Sequence, residues 1–173
     1  MRCLPRDYQL VVAGNALDPE YSQMLRDQAA DDARVRLILR QQNDQELADL
    51  LQACDCVALP YWRITGSGAL LTALTMARGV VASDLSFFRS ALAAEPDAGV
   101  LFRPGDAADL ADAVKRFMAV PTAVRGAAAR RVADSLAWDK VVRPVGEWLQ
   151  AALPERLHVP AESDRTAAPL GQN

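Results

Sequence analysis

Histidine is almost absent from this chain; the single example, His158, lies in a polar C-terminal stretch. That scarcity leaves almost no room for a histidine general base or a histidine-held metal, and no metal site is expected. Lysine is nearly missing too: Lys115 and Lys140 are the only two, so the positive charge is carried by arginine. With the abundant alanine, this reads as coding bias as much as function. Cysteine occurs three times, as Cys3, Cys54 and Cys56. The Cys54-Asp55-Cys56 spacing is not that of a redox or zinc pair, and buried small hydrophobes are the reading it favours. No apolar run is long enough to span a bilayer, and the N-terminus lacks the charged-then-apolar pattern of a signal peptide. These absences predict a cytoplasmic protein that is at most peripheral to the inner face of the membrane through partners. The formal net charge of −3 and the lack of a basic, aromatic-interleaved strip exclude nucleic acid as the expected partner.

What is present is apolar residue in quantity, 51% of 173 residues, enough to bury a core. Strand-like apolar runs alternate with helical patterns. Strands are expected at Tyr8–Ala13, Val35–Leu39, Val57–Leu59, Val80–Ser83 and Gly99–Phe102. Between them come helices over Pro19–Asp32, from Asn43 or Asp44, over Ser67–Ala77 and over Phe87–Ala93. The helix Asp106–Met118 follows, with Leu110, Val114 and Phe117 inward, then Thr122–Ser135 and Asp139–Leu153. Near-continuous apolar strands separated by helices imply an α/β fold, a Rossmann-like parallel sheet of about five strands in a three-layer arrangement. Residues 1–153 form the expected domain. Residues 154–173, rich in proline, alanine and polar groups, read as a disordered tail.

In such a sheet, ligands bind at the carboxyl ends of the strands. Those ends carry Gly14 and Asn15, Arg40 and Gln41, Arg63 to Ser67, Ser83 and Asp84, and Arg103 to Asp106. The most informative is Arg63-Ile64-Thr65-Gly66-Ser67-Gly68, a polar loop opening a helix. Two readings stand. A phosphate is cradled by the free N–H groups of the first turn, assisted by the Thr65 and Ser67 hydroxyls and by Arg63. Or Ser67 is a plain N-cap and Arg63 a solvated loop arginine. The loop is neither a Walker loop nor a dinucleotide fingerprint. Asp84 is read as a ligand to a hydroxyl-rich molecule or as a helix cap, and Pro104-Gly105-Asp106 as a turn followed by an N-cap. Trp138 and Trp148, with Leu136 and Leu149, read as core or interdomain packing. Asp31-Asp32, Glu46 and Asp49 read as solvated faces.

The ordered series Val11-Val12-Ala13-Gly14, Glu46-Leu47, Leu50-Leu51, Ala53-Cys54-Asp55, Val57-Ala58-Leu59-Pro60, Val80 to Asp84, Ala98 to Asp106 and Trp138 resembles the C-terminal, donor-binding half of a GT-B glycosyltransferase. The likeness is to the large retaining family 4 group, over about Leu10 to Leu149. It implies transfer of a hexose from a nucleotide-diphosphate sugar to a glycan or lipid-linked acceptor, in bacterial surface polysaccharide synthesis, with no cofactor and no metal. By resemblance, Gly66, Ser67 and Gly68 would meet the donor diphosphate, and Arg40 and Gln41 would hold the nucleobase. Arg63, Thr65 and Gly14 complete the implied donor site. The family often carries glutamates where this chain has Ile64 and Thr72, so Thr72 would offer one hydroxyl in place of a carboxylate.

The resemblance also leaves pieces unmatched. The acceptor-binding first domain is missing, as is the strand that opens the second domain, which is central in the doubly wound order. The strand Tyr8–Ala13 is therefore expected to pair directly with Val57–Leu59, closing a five-stranded sheet. The expected partners are a nucleotide-sugar donor and a separately encoded N-terminal glycosyltransferase half. A fragment of this kind is not expected to turn over alone. The alternative is a non-catalytic remnant or interaction module of a split gene. A receiver-like domain is disfavoured, because Gly14-Asn15 and Pro60-Tyr61 stand where it needs acidic residues.

Overall fold

A computed structural model describes residues 1 and 3–152; the expected tail, with His158, lies outside the described residues. The chain runs β1 (Leu10–Ala13), α1 (Pro19–Ala30), β2 (Val35–Ile38), α2 (Asp44–Ala53), β3 (Val57–Leu59), α3 (Gly68–Thr75) and β4 (Val80–Ser83). It continues with α4 (Ser86–Leu92), a 3-10 turn (Pro96–Ala98), β5 (Gly99–Phe102), α5 (Ala107–Met118), α6 (Thr122–Ser135) and α7 (Trp138–Ala152). The helices start where side chains can satisfy their first N–H groups. Asp18 accepts from Glu20 N–H at 2.9 Å, with Pro19 in the first turn where it loses no bond. Asn43 and Glu46 form a capping box at α2. Asp106 accepts from Asp109 N–H at 2.9 Å, as the turn-then-cap reading expects.

The strands form two parallel ladders. In one, β1 pairs with β2, Leu10 opposite Val35 through Ala13 opposite Ile38. In the other, the order is β3-β4-β5. The expected closure of Tyr8–Ala13 onto Val57–Leu59 does not occur: β1 and β3 belong to separate ladders. The reason is that each strand keeps the neighbour its own crossover supplies, and no described strand is available to lie between them. Further ties hold this arrangement. Arg78 donates to the carbonyls of Leu51 and Gln52 at 2.7 and 2.8 Å, joining the end of α2 to the turn before β4. Arg34, beside β2, donates to the carbonyls of Met1, Leu4 and Pro5, while Leu4 and Tyr8 pack beneath the three-stranded sheet.

The three-stranded sheet is covered on both faces. Val80 and Ala82 of β4 enter a cluster with Leu70 and Leu74 of α3, Phe88 and Leu92 of α4, and Ala128 and Val132 of α6. Val81 points the other way, toward Val114 and Phe117 of α5 and Phe102 of β5. Complete burial of β4 explains why its sequence alternates nothing. Arg125 of α6 is also buried, donating to the Asp55 carbonyl, the Met118 sulfur and the Thr122 hydroxyl. Its guanidinium lies 4.9 Å over the Phe117 ring.

Two compact units emerge, residues 1–135 and a second beginning at Leu136. Within the second, Trp138 and Trp148 are exposed on α7 rather than buried in a core. Cys3 is exposed as well, against the expectation of burial, because it precedes the first strand; Cys54 and Cys56 are half-buried. Among the described residues, no helix is long and apolar enough to cross a membrane.

Candidate functional site

The loop from Pro60 to Ser67 leaves the carboxyl end of β3 and delivers the chain to α3. Ser67 accepts the Leu70 N–H at 3.0 Å, so the capping reading is realised. It uses one donor of the first turn. Among the described residues, the N–H groups of Gly68 and Ala69 have no protein partner. Space beside Gly66 and Gly68 is open, with nothing within 4 Å of where a Cβ would stand on either. Thr65 is exposed. Arg63 is exposed too and takes part in no ion pair among the described residues. Ile64 instead turns inward and packs on the core. The Thr72 hydroxyl donates to the Gly68 carbonyl at 2.9 Å, which leaves only its lone pairs for a ligand. The arrangement presents free N–H donors and a helix dipole at the α3 mouth, with the exposed Arg63 on the same loop, and it suits an anion.

The other sequence-predicted residues lie at the end of the two-stranded ladder. Gly14 follows β1 and bonds the Ile38 carbonyl. Arg40 and Gln41 follow β2, and the Arg40 guanidinium is engaged: it pairs with Glu46 at 2.6 Å and donates to the Gln41 carbonyl. Arg40 holds the Glu46 carboxyl down to about 2, with help from the Asn43 N–H. Glu46 is therefore part of a network and not a solvated face. Asp32 likewise pairs with Arg34. No hydrogen bond among the described residues links Gly14, Arg40 or Gln41 to the Arg63–Gly68 loop. Asp84 does not cap α4; it pairs with Arg89, and Leu85 stands at the start of that helix without a side-chain bond among the described residues.

Two features at this rim go beyond the sequence reading, which placed Ser83 at a strand end and gave Trp62 no role. Ser83, last residue of β4, is buried, and its hydroxyl has no partner among the described residues. Trp62 reaches from the β3 loop to Gly105, the turn after β5. An aromatic pair at 61–62 directly after a strand was the available signal. A shallow depression on α1 lined by Glu20, Gln23, Met24, Asp27 and Gln28 contains none of these groups.

Residues 2–119 match the model of the family described as glycosyl transferases group 1. The chain belongs to that family. Among curated relatives, a GDP-mannose:glycolipid 4-beta-D-mannosyltransferase of Xanthomonas campestris pv. campestris is 36% identical over 93 residues, 54% of this chain and 26% of the relative. The chain thus spans about a quarter of that enzyme's length. Solved structures of similar fold include sucrose-phosphate synthase from Thermosynechococcus elongatus, with TM-score 0.68 and 23% identity over 83% of this chain and 38% of that one. Anabaena HepE, solved in complex with UDP, gives 0.70 and 22% over 86% and 42%. WaaG, a glycosyltransferase involved in lipopolysaccharide biosynthesis, gives 0.60 and 17% over 88% and 41%. These family members and structural relatives are glycosyltransferases of GT-B architecture, and this chain shares the fold of one part of them.

Proposed function

We propose that this chain is the donor-binding part of a hexosyltransferase and seats the diphosphate of a nucleotide-sugar on the first turn of α3. The observation that carries the reading is the open mouth of that helix: the N–H groups of Gly68 and Ala69 without partners, behind two glycines with clear space. A diphosphate there accepts charge-assisted bonds, each stronger than a neutral one. Arg63 and the α3 dipole stabilise the charge that builds on the leaving nucleoside diphosphate as the glycosidic bond breaks. Neither a metal nor a cofactor is required in this scheme. The bond from the anomeric carbon to diphosphate oxygen breaks, a bond to the acceptor hydroxyl forms, and the hydroxyl proton is released.

The relatives' names support the class of substrate: one uses GDP-mannose on a glycolipid, and another holds UDP. A lipid-linked or glycan acceptor, in surface polysaccharide assembly at the cytoplasmic face of the membrane, completes the proposal. The acceptor-binding half and the strand between β1 and β3 would come from other polypeptide, such as a separately encoded N-terminal half.

Calorimetric titration with GDP and UDP tests the seat. Ser67→Asp retains an N-cap but places a carboxylate at the helix mouth. Binding by the native chain, abolished in this variant, is the expected result. Equal affinity in both would refute the placement.

A further inference from the structure

The two aromatic residues after β3 are used in different ways. Tyr61 stacks on Phe88 of α4, ring centroids 6.0 Å apart and planes within 6°. Trp62 remains 73% exposed. Its six-membered ring lies against Gly105, where a Cβ would stand 2.3 Å from Cη2. Gly105 has φ +78°, in the left-handed region that favours glycine. Because β3 and β5 flank β4, the contact from the β3 loop to the β5 turn spans the carboxyl end of the central strand. There Ser83 is buried, and its hydroxyl has no partner among the described residues. An aromatic surface is thus exposed at the rim where ligands of such sheets bind. Single exposed apolar residues are common; this one rests on a glycine in a left-handed turn at the ligand-binding rim of the sheet.

We propose that the Trp62 indole is the platform for the hexose ring of the donor. This rests on the diphosphate seat at Gly66–Gly68. From that seat a nucleotide-sugar extends in two directions. The β1–β2 side holds Arg40 and Gln41, read above as the nucleobase side, and the β4–β5 side holds Trp62. The negative face of an indole attracts the weakly positive C–H edge of a sugar, and the flat contact removes apolar surface from water. A bare nucleoside diphosphate does not reach the platform.

The test is the ratio of affinities for a nucleotide-sugar and its nucleoside diphosphate. It is measured by calorimetry with GDP-mannose against GDP, and UDP-glucose against UDP, on the full chain. Trp62→Ala is expected to lower that ratio about 5- to 10-fold, the size of an aromatic contact, and Trp62→Phe to restore most of it. Gly105→Ala keeps the indole but unseats it, and is expected to lower the ratio as well. A ratio unaltered by Trp62→Ala overturns the platform, and so does an equal loss for both ligands, which would place the indole on the nucleotide. In either case Ser67→Asp still reads the diphosphate seat separately. If the native chain binds no nucleotide, the seat fails and the platform falls with it.

Discussion

The guanidinium of Arg40 meets the Glu46 carboxylate with both prongs, at 2.8 and 2.6 Å. The same carboxylate accepts the Asn43 N–H at 3.0 Å and so closes the cap of α2. An arginine that the sequence offers to a ligand is therefore already paired, and a glutamate that reads as surface decoration holds the β2–α2 corner. This fork geometry is the strong form of an ion pair.

A pH prediction follows from that corner. Glu46 and Asp32 each have a carboxyl held at about 2 by an arginine, below ordinary values of 4.5 and 3.8. Folded values below unfolded ones mean stability that is present above pH 4.5 and is lost as pH falls toward 2. Thermal melts between pH 5 and 2 are expected to show that loss, and Glu46→Gln with Asp32→Asn to flatten it. Both groups are solvent-accessible, so the slope should also shrink in high salt.

Arg63 and Arg40 should differ in their effect on nucleotide binding. Arg63 has no carboxylate partner among the described residues, whereas Arg40 must surrender Glu46 to reach a ligand. Arg63→Ala is expected to weaken GDP or UDP about 10-fold, the scale of one charged hydrogen bond. Arg40→Ala should weaken it less. The reverse order in calorimetry would move the diphosphate away from α3.

Thiol chemistry separates the cysteines. Burial pushes the Cys56 thiol up to about 11 and raises Cys54 as well. The thiolate is the reactive form. At neutral pH a maleimide should label the exposed Cys3 quickly, and Cys54 and Cys56 only once the chain is unfolded. Fast labelling of all three sites would mean that β3 and its approach are open.

Arg125 is the most consequential buried charge. Its guanidinium bonds the carbonyl before β3 and covers Phe117. Removing it leaves an unpaired carbonyl and an empty volume between α5 and α6. Arg125→Ala is expected to cost ~2–4 kcal/mol in denaturant unfolding. Nucleotide affinity of the folded fraction should be untouched, since Asp55 and Arg125 lie at the amino end of β3, away from the α3 mouth.

Much of this protein was readable along the chain. The strands carry mostly apolar runs, interrupted by Arg36 in β2, and Asn43, Ser67 and Asp106 each cap a helix because the partner N–H is only three residues away. Such local chemistry, and the ordered signposts of the family, need no distant contact to be recognised. The loop proposed as the diphosphate seat stood out for the same reason: a strand, a polar turn and a helix start occur in sequence.

Other decisions belonged to the tertiary structure. Whether β1 pairs with β3 depends on which strand lies between them, and a strand's apolar run says nothing about its neighbour. Trp62 looks like any loop aromatic until Gly105 is found beneath it, and Arg40 looks free until Glu46 turns toward it. Sequence determined the elements and their order, because propensity, capping and period act over a few residues. Only the folded chain decided which polar groups remain available to a ligand, because that depends on what else reaches them in space.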